Sequence, residues 1–238
     1  MSNLNQAHPV MLITGTSQGI GKYLASYYLG KGYLVIGCSR QKSDITNSRY
    51  THLIADISNE NEILDVFKFI RKEHQRLDVL INNAAINPAI VTVSLLPYET
   101  IQKTFKVNVF APILFCREAI KLMSRHKFGR IINIGSMATR HEVAGESIYT
   151  STKSALNAFT RVLAKEVMSS GITANIVAPS AIDTELSKAI SQEALTEVLN
   201  RNAIKTWGDF NDVSNSIDYL LKPESKTVTG QIIYLGGV

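Results

Sequence analysis

The sequence predicts an α/β fold in which a doubly wound parallel sheet of seven strands carries helices on both faces. Two observations lead to this fold class. Short apolar runs of strand length alternate with longer runs of helical periodicity along the whole chain, and such alternation requires right-handed crossovers and a parallel sheet covered on both sides. A glycine-rich segment also lies between the first strand and the first helix, at the edge where these sheets bind ligands.

The apolar pattern sets the expected elements. We predict strands over 10–14, 33–38, 51–55, 78–82, 130–135, 172–178 and 231–235, and helices over 19–31, 59–75, 97–125, 149–170, 184–201 and 212–221. Pro112 falls inside the third helix, where it should produce a kink or an irregular turn because proline lacks the N–H of a helical hydrogen bond. We expect residues 1–238 to form a single domain with a substrate lid around 185–205.

Composition argues against several classes of function. The net charge of +5 comes from scattered Lys and Arg residues without a basic run, so we predict no nucleic-acid partner. The two cysteines, Cys38 and Cys116, are far apart and the five histidines lack metal-ligand spacing, so we predict neither a disulfide nor a metal site. Residues 1–9 lack a signal-peptide core and no run is long enough to cross a membrane, so we expect a cytoplasmic protein.

A phosphate-binding loop is predicted between the first strand and the first helix. Gly15 permits a tight turn, Gly19 lets the backbone approach a pyrophosphate, and Gly21 allows the helix to pack closely on the strand. The N–H groups at the start of that helix carry a partial positive charge, which favours an anion. The other residues expected to contact the cofactor here are Thr14, Ser17, Gln18 and Ile20.

A tyrosine and a lysine lie four positions apart, at Tyr149 and Lys153, so both side chains project from one face of the predicted helix. A free phenol has a pKa of about 10, and a nearby ammonium lowers that pKa toward the working range. A phenol tuned in this way can give a proton to a forming alkoxide or take one from an alcohol. The pair is therefore a candidate for acid–base catalysis.

The order of the motifs resembles the short-chain dehydrogenase/reductase family in its single-domain form, and the spacing is most similar to that of 3-oxoacyl-carrier-protein reductases. Besides the glycine spacing G-x-x-x-G-x-G and the Tyr–Lys pair, the matching residues are Asn82-Asn83-Ala84-Ala85, Asn108 and Ser136. The resemblance covers almost the whole chain and implies a Rossmann-like fold. It implies that Tyr149 is the general acid/base and that Lys153 holds the nicotinamide ribose. Ser136 would orient the substrate oxygen, and Asn108 would hold a water that relays protons to Lys153.

The cofactor is predicted to be NADP(H) in preference to NAD(H). An acidic residue at the end of the second strand bonds the ribose of NAD, whereas an arginine accommodates the extra phosphate of NADP. Here Ser39 takes the acidic position and Arg40 follows it. The resemblance also implies cofactor contacts from Asp56, Ile57, Asn83, Ala84, Pro179, Ile182 and Thr184. Ser180 replaces a glycine of the family and either narrows the site or adds a hydroxyl.

We therefore expect an NADP(H)-dependent oxidoreductase that reduces a 3-oxoacyl thioester or a related ketone, with Tyr149 as proton donor. Two alternatives stay open: an NAD-dependent alcohol or sugar dehydrogenase working in the oxidative direction, and a dinucleotide-binding sensor or scaffold without turnover. Arg125 and Lys127 suit an acidic carrier protein, but Ser169 and Ser170 are not basic where a carrier-dependent enzyme would be. The substrate is thus either a small molecule or carrier-bound.

Two further features allow two interpretations each. The loop before Tyr149 is charged at Arg140, His141, Glu142 and Glu146, and it is either solvated or recognises a polar or anionic substrate. The family commonly forms homo-oligomers, so we expect a dimer or tetramer. The apolar residues that serve either this interface or the core are Phe110, Ile113, Leu114, Phe115, Phe159 and Leu163.

Overall fold

The computed structural model describes residues 8–88, 90–184, 187 and 192–237. Of the lid predicted around 185–205, residues 185–186 and 188–191 lie outside this described part, as do the side chains of 192–195 and 197. Among the described residues, no helix is both long and apolar enough to cross a membrane.

The sheet has seven parallel strands: β1 (Val10–Thr14), β2 (Leu34–Ser39), β3 (Tyr50–Ile54), β4 (Val79–Asn82), β5 (Gly129–Ile134), β6 (Ile172–Ala178) and β7 (Ile232–Tyr234). Their spatial order is β3-β2-β1-β4-β5-β6-β7. The order reverses between β1 and β4, so the crevice at their carboxyl ends is the expected ligand site. The predicted doubly wound parallel sheet is confirmed.

The described helices are α1 (Gly19–Gly30), α2 (Glu60–Glu73), α3 (Tyr98–Phe105), α4 (Ala111–His126), α5 (Ala138–His141), α6 (Ser147–Val167), α7 (Gln192–Arg201) and α8 (Phe210–Leu221). Most lie within a few residues of their predicted bounds. The short helix α5 was not predicted, because four residues are too few to show a helical period. The helix predicted from 184 begins at Gln192 instead, and Thr184 lies in a bend.

The core has two halves, one on each face of the sheet. Alternate strand residues point to opposite faces, so Leu12 packs with α2, α4 and α6, whereas the adjacent Ile13 packs with α1 and α8. Phe67 and Phe115 meet in the first half, with ring centroids 5.7 Å apart. Both faces of the inner strands β1, β4, β5 and β6 are therefore buried, which is why these strands are mostly apolar, whereas the edge strands β3 and β7 are partly exposed.

The helix predicted over 97–125 is interrupted at Lys106–Phe110 by a single π-helical turn. The N–H of Ala111 donates to the carbonyl of Lys106, one residue beyond the α-helical partner. Pro112 follows immediately and has no N–H, so the carbonyl of Asn108, four residues earlier, lacks the donor that an α-helix would supply. The irregular turn predicted at Pro112 is thus confirmed, and the π-helical turn contains Asn108.

Candidate active site

A cavity of about 510 Å³ opens at the carboxyl ends of the central strands. The predicted cofactor and catalytic residues that line it are Gly15, Ser17, Gln18, Gly19, Ile20, Ser39, Arg40, Asp56, Ile57, Asn83, Ala84, Ser136, Tyr149, Lys153, Pro179, Ile182 and Thr184. Three predicted residues, Thr14, Gly21 and Asn108, are not part of the lining. Their contacts show that they support its walls instead.

The glycine loop depends on backbone shape at each of its three glycines. Gly15 and Gly19 have φ values of 77° and 56°, which disfavour any side chain. Gly21 has no such strain, but a Cβ there would lie 2.2 Å from the carbonyl oxygen of Gly15. The absence of a side chain at Gly21 therefore brings α1 against the loop, as the sequence pattern predicts.

Thr14 and Asn83 join the loop after β1 to the loop after β4. The Thr14 hydroxyl accepts hydrogen bonds from the backbone N–H groups of Asn83 at 3.0 Å and Ala84 at 2.9 Å. In return the Asn83 amide donates to the Thr14 carbonyl at 2.8 Å. These bonds satisfy buried polar groups and fix the floor of the crevice where the strand order reverses.

The start of α1 has the features that a dinucleotide requires. The N-cap residue Gln18 makes no side-chain cap, and no acidic residue occupies the first turn of this described helix, so the helix start is open to an anion. A Cβ built on Gly19 would come within 3.6 Å of the Thr184 methyl group, so the missing side chain leaves a cradle between the two loops. Both features fit a pyrophosphate.

The adenosine end contains a hydrogen-bond network that the sequence did not reveal. The Ser39 hydroxyl donates to the Gln41 carbonyl at 2.7 Å and lies 3.3 Å from Nε2 of His52. The other ring nitrogen of His52 lies 2.9 Å from the Tyr50 hydroxyl, which donates to Thr16. His52 thus contacts the Ser39 hydroxyl and helps to hold it in place. One residue in the sequence could have indicated this network. Gly37 pairs with His52 in the sheet, and its missing side chain leaves room for the Tyr50 hydroxyl.

Arg40 is exposed at the rim of the cavity, next to Asp56. Burial alone would raise the pKa of Asp56, but hydrogen bonds from Ser58 and the charges of Arg40 and Lys103 lower it overall. The Asp56 carboxylate accepts the Ser58 N–H at 2.9 Å. Two cations therefore border this end of the cavity, which favours an anionic ligand group.

Tyr149 and Ser136 lie together at the opposite end, and both line the cavity. Burial raises the pKa of Tyr149 to about 12, a hydrogen bond with Ser136 acts in the lowering direction, and the Glu146 charge raises it further. Lys153 does not lower it, so the expectation of a phenol tuned by this ammonium is wrong for the structure as it stands. The physical reason is that desolvation of the buried phenol dominates.

Lys153 is buried and directed at the protein backbone. Its Nζ donates to the carbonyl of Ile134 at 2.8 Å and lies 5.8 Å from the centre of the Tyr149 ring. Burial lowers the pKa of Lys153 to about 8. The amine therefore changes charge close to neutral pH.

Asn108 acts as a clamp through its side chain. Its amide oxygen accepts the Ile86 N–H at 2.9 Å, and its amide nitrogen donates to the Ile86 carbonyl at 2.8 Å and to the Thr152 hydroxyl at 3.1 Å. These bonds supply the partner that a buried Asn requires. The side chain makes no hydrogen bond with Lys153 in the described residues, so a water relay would have to use the Asn108 carbonyl.

The loop after β6, which the sequence predicts to border the nicotinamide, is held by contacts with later segments. Ile182 forms a bridge with Gly208, and the Thr184 N–H donates to the Ser187 hydroxyl at 3.0 Å. Ser180 lines the cavity, and its hydroxyl accepts the Asn202 amide at 2.6 Å. Of the two readings of Ser180, the structure supports an added hydroxyl.

The charged loop before Tyr149 divides into exposed and buried residues. Arg140 and Glu142 are exposed, and the Arg140 guanidinium stacks over the Tyr234 ring at 4.7 Å. His141 and Glu146 are buried and line the cavity. The interpretation of a wholly solvated loop therefore fails for these two residues.

The chain matches the family model described as short chain dehydrogenase over residues 9–195. It is 29% identical over 242 residues to the 3-oxoacyl-[acyl-carrier-protein] reductase FabG of Vibrio cholerae serotype O1, with 98% of both chains covered.

Two solved structures are similar to this chain. A 4-hydroxyisoleucine dehydrogenase complexed with NADH has a TM-score of 0.89 and 28% identity, covering 97% of this chain and 98% of that one. ElxO with NADP bound has a TM-score of 0.88 and 26% identity, covering 96% and 97%. The chain belongs to the short-chain dehydrogenase family and is a FabG-like NAD(P)-dependent oxidoreductase acting on CH–OH or C=O groups.

Proposed function

We propose that this protein reduces the carbonyl of a 3-oxoacyl thioester or a related ketone with NADP(H), and that Tyr149 donates the proton. The observation that carries the proposal is that the buried Tyr149, with Lys153 beneath its ring, lines the same cavity as Ser136 and the glycine loop. Because burial raises the pKa of Tyr149 to about 12, the phenol holds its proton at neutral pH. A protonated phenol is the form that reduction requires.

Each residue has a separate task in this proposal. The bound nicotinamide supplies the hydride. The glycine loop and the start of α1 bind the pyrophosphate, while Ile182 and Thr184 border the nicotinamide. Ser136 orients the carbonyl oxygen toward the Tyr149 hydroxyl, which gives it a proton. Lys153 holds a positive charge behind Tyr149, and Asn108 positions the helix that carries both.

The test of this role is the Tyr149→Phe variant. It should lower kcat for carbonyl reduction at least about 100-fold, the usual contribution of a positioned acid, with cofactor binding retained. Tyr219→Phe is the matched control, since Tyr219 is exposed on α8. Near-normal turnover by Tyr149→Phe would refute the role. Cofactor binding without turnover of any ketone or acyl thioester by the unaltered enzyme would favour a sensor.

The preference for NADP(H) rests on Ser39 and Arg40. A carboxylate at Ser39 would repel a phosphate, whereas a hydroxyl and a guanidinium can hold one. The two structural relatives differ here, since one binds NADH and the other NADP. Arg40→Ala should lower kcat/KM with NADPH much more than with NADH, and Arg161→Ala, exposed on α6, should change neither. Equal loss with both cofactors would sink the assignment.

The oxidative direction is the second candidate, because a structural relative is a dehydrogenase with NADH bound. Initial rates in both directions with each cofactor distinguish the two. The cytoplasm is our proposed location, since both cysteines are free thiols, which suits a reducing compartment.

We also propose a homo-oligomer that joins the outer faces of α4 and α6. Phe115 and Leu163 belong to the core, but Phe110 and Val162 are 53% and 55% exposed. Exposed apolar groups of this size mark association surfaces when they cluster. Light scattering should give a mass above one chain, and Phe110→Glu should lower it.

A further inference from the structure

Two polar side chains in the wall of the cavity are buried and have no hydrogen-bond partner of acceptable geometry among the described residues. Glu146 is 6% exposed and His141 is 9% exposed, and both line the cavity with Tyr149. Buried polar groups are normally hydrogen-bonded, so unpaired ones in a binding cavity call for an explanation.

Glu146 is the more demanding of the two. Across the described residues its carboxylate forms no ion pair, and no hydrogen bond to its side chain is found. Burial raises the pKa of Glu146, and no positive group opposes this effect. A buried carboxylate without a counter-ion is costly, whereas a cation placed beside it recovers much of that cost.

His141 cannot serve as that cation. Burial lowers the pKa of His141, and the charge of Arg201 lowers it further, so the ring is a neutral imidazole at neutral pH. Among the described residues, neither ring nitrogen has a hydrogen bond of acceptable geometry, although Asn202 lies near enough to act on the pKa in the raising direction, which burial outweighs. The ring can therefore offer one donor and one acceptor to a ligand. The Arg201 guanidinium donates to the His141 carbonyl at 2.9 Å and holds this part of the loop in place.

We propose that Glu146 binds a protonated amine of the substrate and that His141 forms a second hydrogen bond on the same wall, so the enzyme acts on compact amino ketones. This inference rests on the proposed function and narrows its substrate class. The position supports it, because the Glu146 charge acts on Tyr149, which places the amine close to the reacting carbonyl. Binding of a long acyl chain against that wall is unfavourable, because its methylene groups would desolvate the buried Glu146 carboxylate.

The test compares matched pairs of ketones. Each amino ketone, beginning with aminoacetone, is paired with the neutral ketone in which a methyl group replaces the ammonium, which for aminoacetone is butanone. Amino ketones with additional methylene groups between carbonyl and ammonium vary the distance over which the ammonium can extend toward Glu146. The unaltered enzyme should show a kcat/KM about tenfold or more higher for the best amino ketone than for its neutral partner, as a charge-assisted hydrogen bond provides.

Glu146→Gln should bring that ratio close to one. Glu142→Gln is the matched control, because Glu142 is the exposed acidic residue of the same loop and makes the same charge change. It should leave the ratio and both rates unchanged. Equal ratios in the unaltered enzyme and Glu146→Gln, or no preference for any amine, would overturn the subsite while reduction of the neutral ketones still supported the proposed function.

A binding measurement separates the two proposals if no ketone is reduced. Calorimetric titration of the NADP(H)-loaded enzyme with the same amino ketones should show binding that weakens about tenfold or more in Glu146→Gln. Such binding without turnover supports the amine site and counts against the proposed reaction. Failure of every amine to bind, or equal binding to Glu146→Gln, overturns the amine site. Substituting His141→Phe should weaken binding further without removing the dependence on Glu146.

Discussion

The loops after β1 and after β5 bound the same cavity but treat their polar groups in opposite ways. At the end of β1, Thr14 bonds to the loop after β4, and at the end of the neighbouring β2 the Ser39 hydroxyl contacts His52. After β5, His141 and Glu146 are also buried, but among the described residues neither ring nitrogen of His141 has a hydrogen-bond partner, and the Glu146 carboxylate forms no ion pair. Paired polar groups fix a shape, whereas unpaired ones at a cavity wall are available to a ligand. The cofactor end is therefore built in advance, and the substrate end is completed by what binds there.

The largest effect should come from breaking the shape of the cofactor end. Gly21→Ala places a Cβ 2.2 Å from the Gly15 carbonyl oxygen, so α1 must move away from the loop. We expect the Kd for NADPH to rise about 100-fold, at the upper end of overpacking costs. Gly30→Ala is the control, since nothing lies within 4 Å of a Cβ there. Unchanged NADPH affinity in a folded Gly21→Ala protein would contradict the proposed packing role.

The next effect concerns the charge behind Tyr149. Burial lowers the pKa of Lys153 to about 8, so its ammonium is present below that pH and lost above it. The rate of carbonyl reduction should therefore fall about tenfold per pH unit on the alkaline side. Tyr149 cannot produce this limb, because burial raises its pKa to about 12. A pH profile of kcat at saturating substrate measures it, and a rate that stays constant to about pH 10 would rule out this role for Lys153.

A third prediction compares paired and unpaired threonines. Thr14→Val leaves two partly buried backbone N–H groups without their acceptor and should lower stability by about 2 kcal/mol, or about 4–8 °C in Tm. Thr173 on β6 is also buried, but its hydroxyl has no partner among the described residues. Thr173→Val should therefore be neutral or slightly stabilising. Thermal unfolding of both variants tests the difference, and equal losses would remove it.

The smallest of these effects is a change in the free energy of unfolding at Glu146. Because burial raises the pKa of Glu146, its contribution to stability is greatest below the unfolded-state pKa and is lost as the pH rises through the folded-state pKa. Glutamine cannot ionise, so Glu146→Gln avoids the cost of a buried charge. The variant should raise the free energy of unfolding at neutral pH by about 1 kcal/mol, or about 2–4 °C in Tm, and by less at acidic pH. Glu142→Gln should show no gain. A fall in Tm for Glu146→Gln would mean that the carboxylate is structural.

The cofactor end was predictable because its residues act through the backbone. Glycines that must adopt positive φ, and a proline without an N–H, have the same meaning in any context. The tight turn at Gly15 and the irregular helix at Pro112 therefore agree with the sequence, while the approach of a pyrophosphate to Gly19 stays a prediction. The doubly wound parallel sheet also followed from the alternation of apolar runs, whereas the order of its strands was seen only in the structure. These features are local, and local features survive in the sequence pattern.

The substrate end was less predictable because its residues act through burial. The sequence showed four charged positions between Arg140 and Glu146 but not which of them turn inward, since the intervening turns decide that. The pKa of Tyr149 also depends on desolvation by distant elements, so the i, i+4 spacing alone gave the wrong direction. His52 was missed because its partners come from three separate segments.

The Asn108 clamp has a mechanical consequence. One side chain holds both backbone groups of Ile86 and the hydroxyl of Thr152, so the loop after β4 and the helix bearing Tyr149 and Lys153 form a single rigid block. The spacing between Tyr149 and the loop after β4 is thereby fixed before any ligand arrives. Adaptation to substrates of different shape then falls on residues outside that block, and sequence changes there can alter what is bound without disturbing the arrangement of Tyr149 and Lys153.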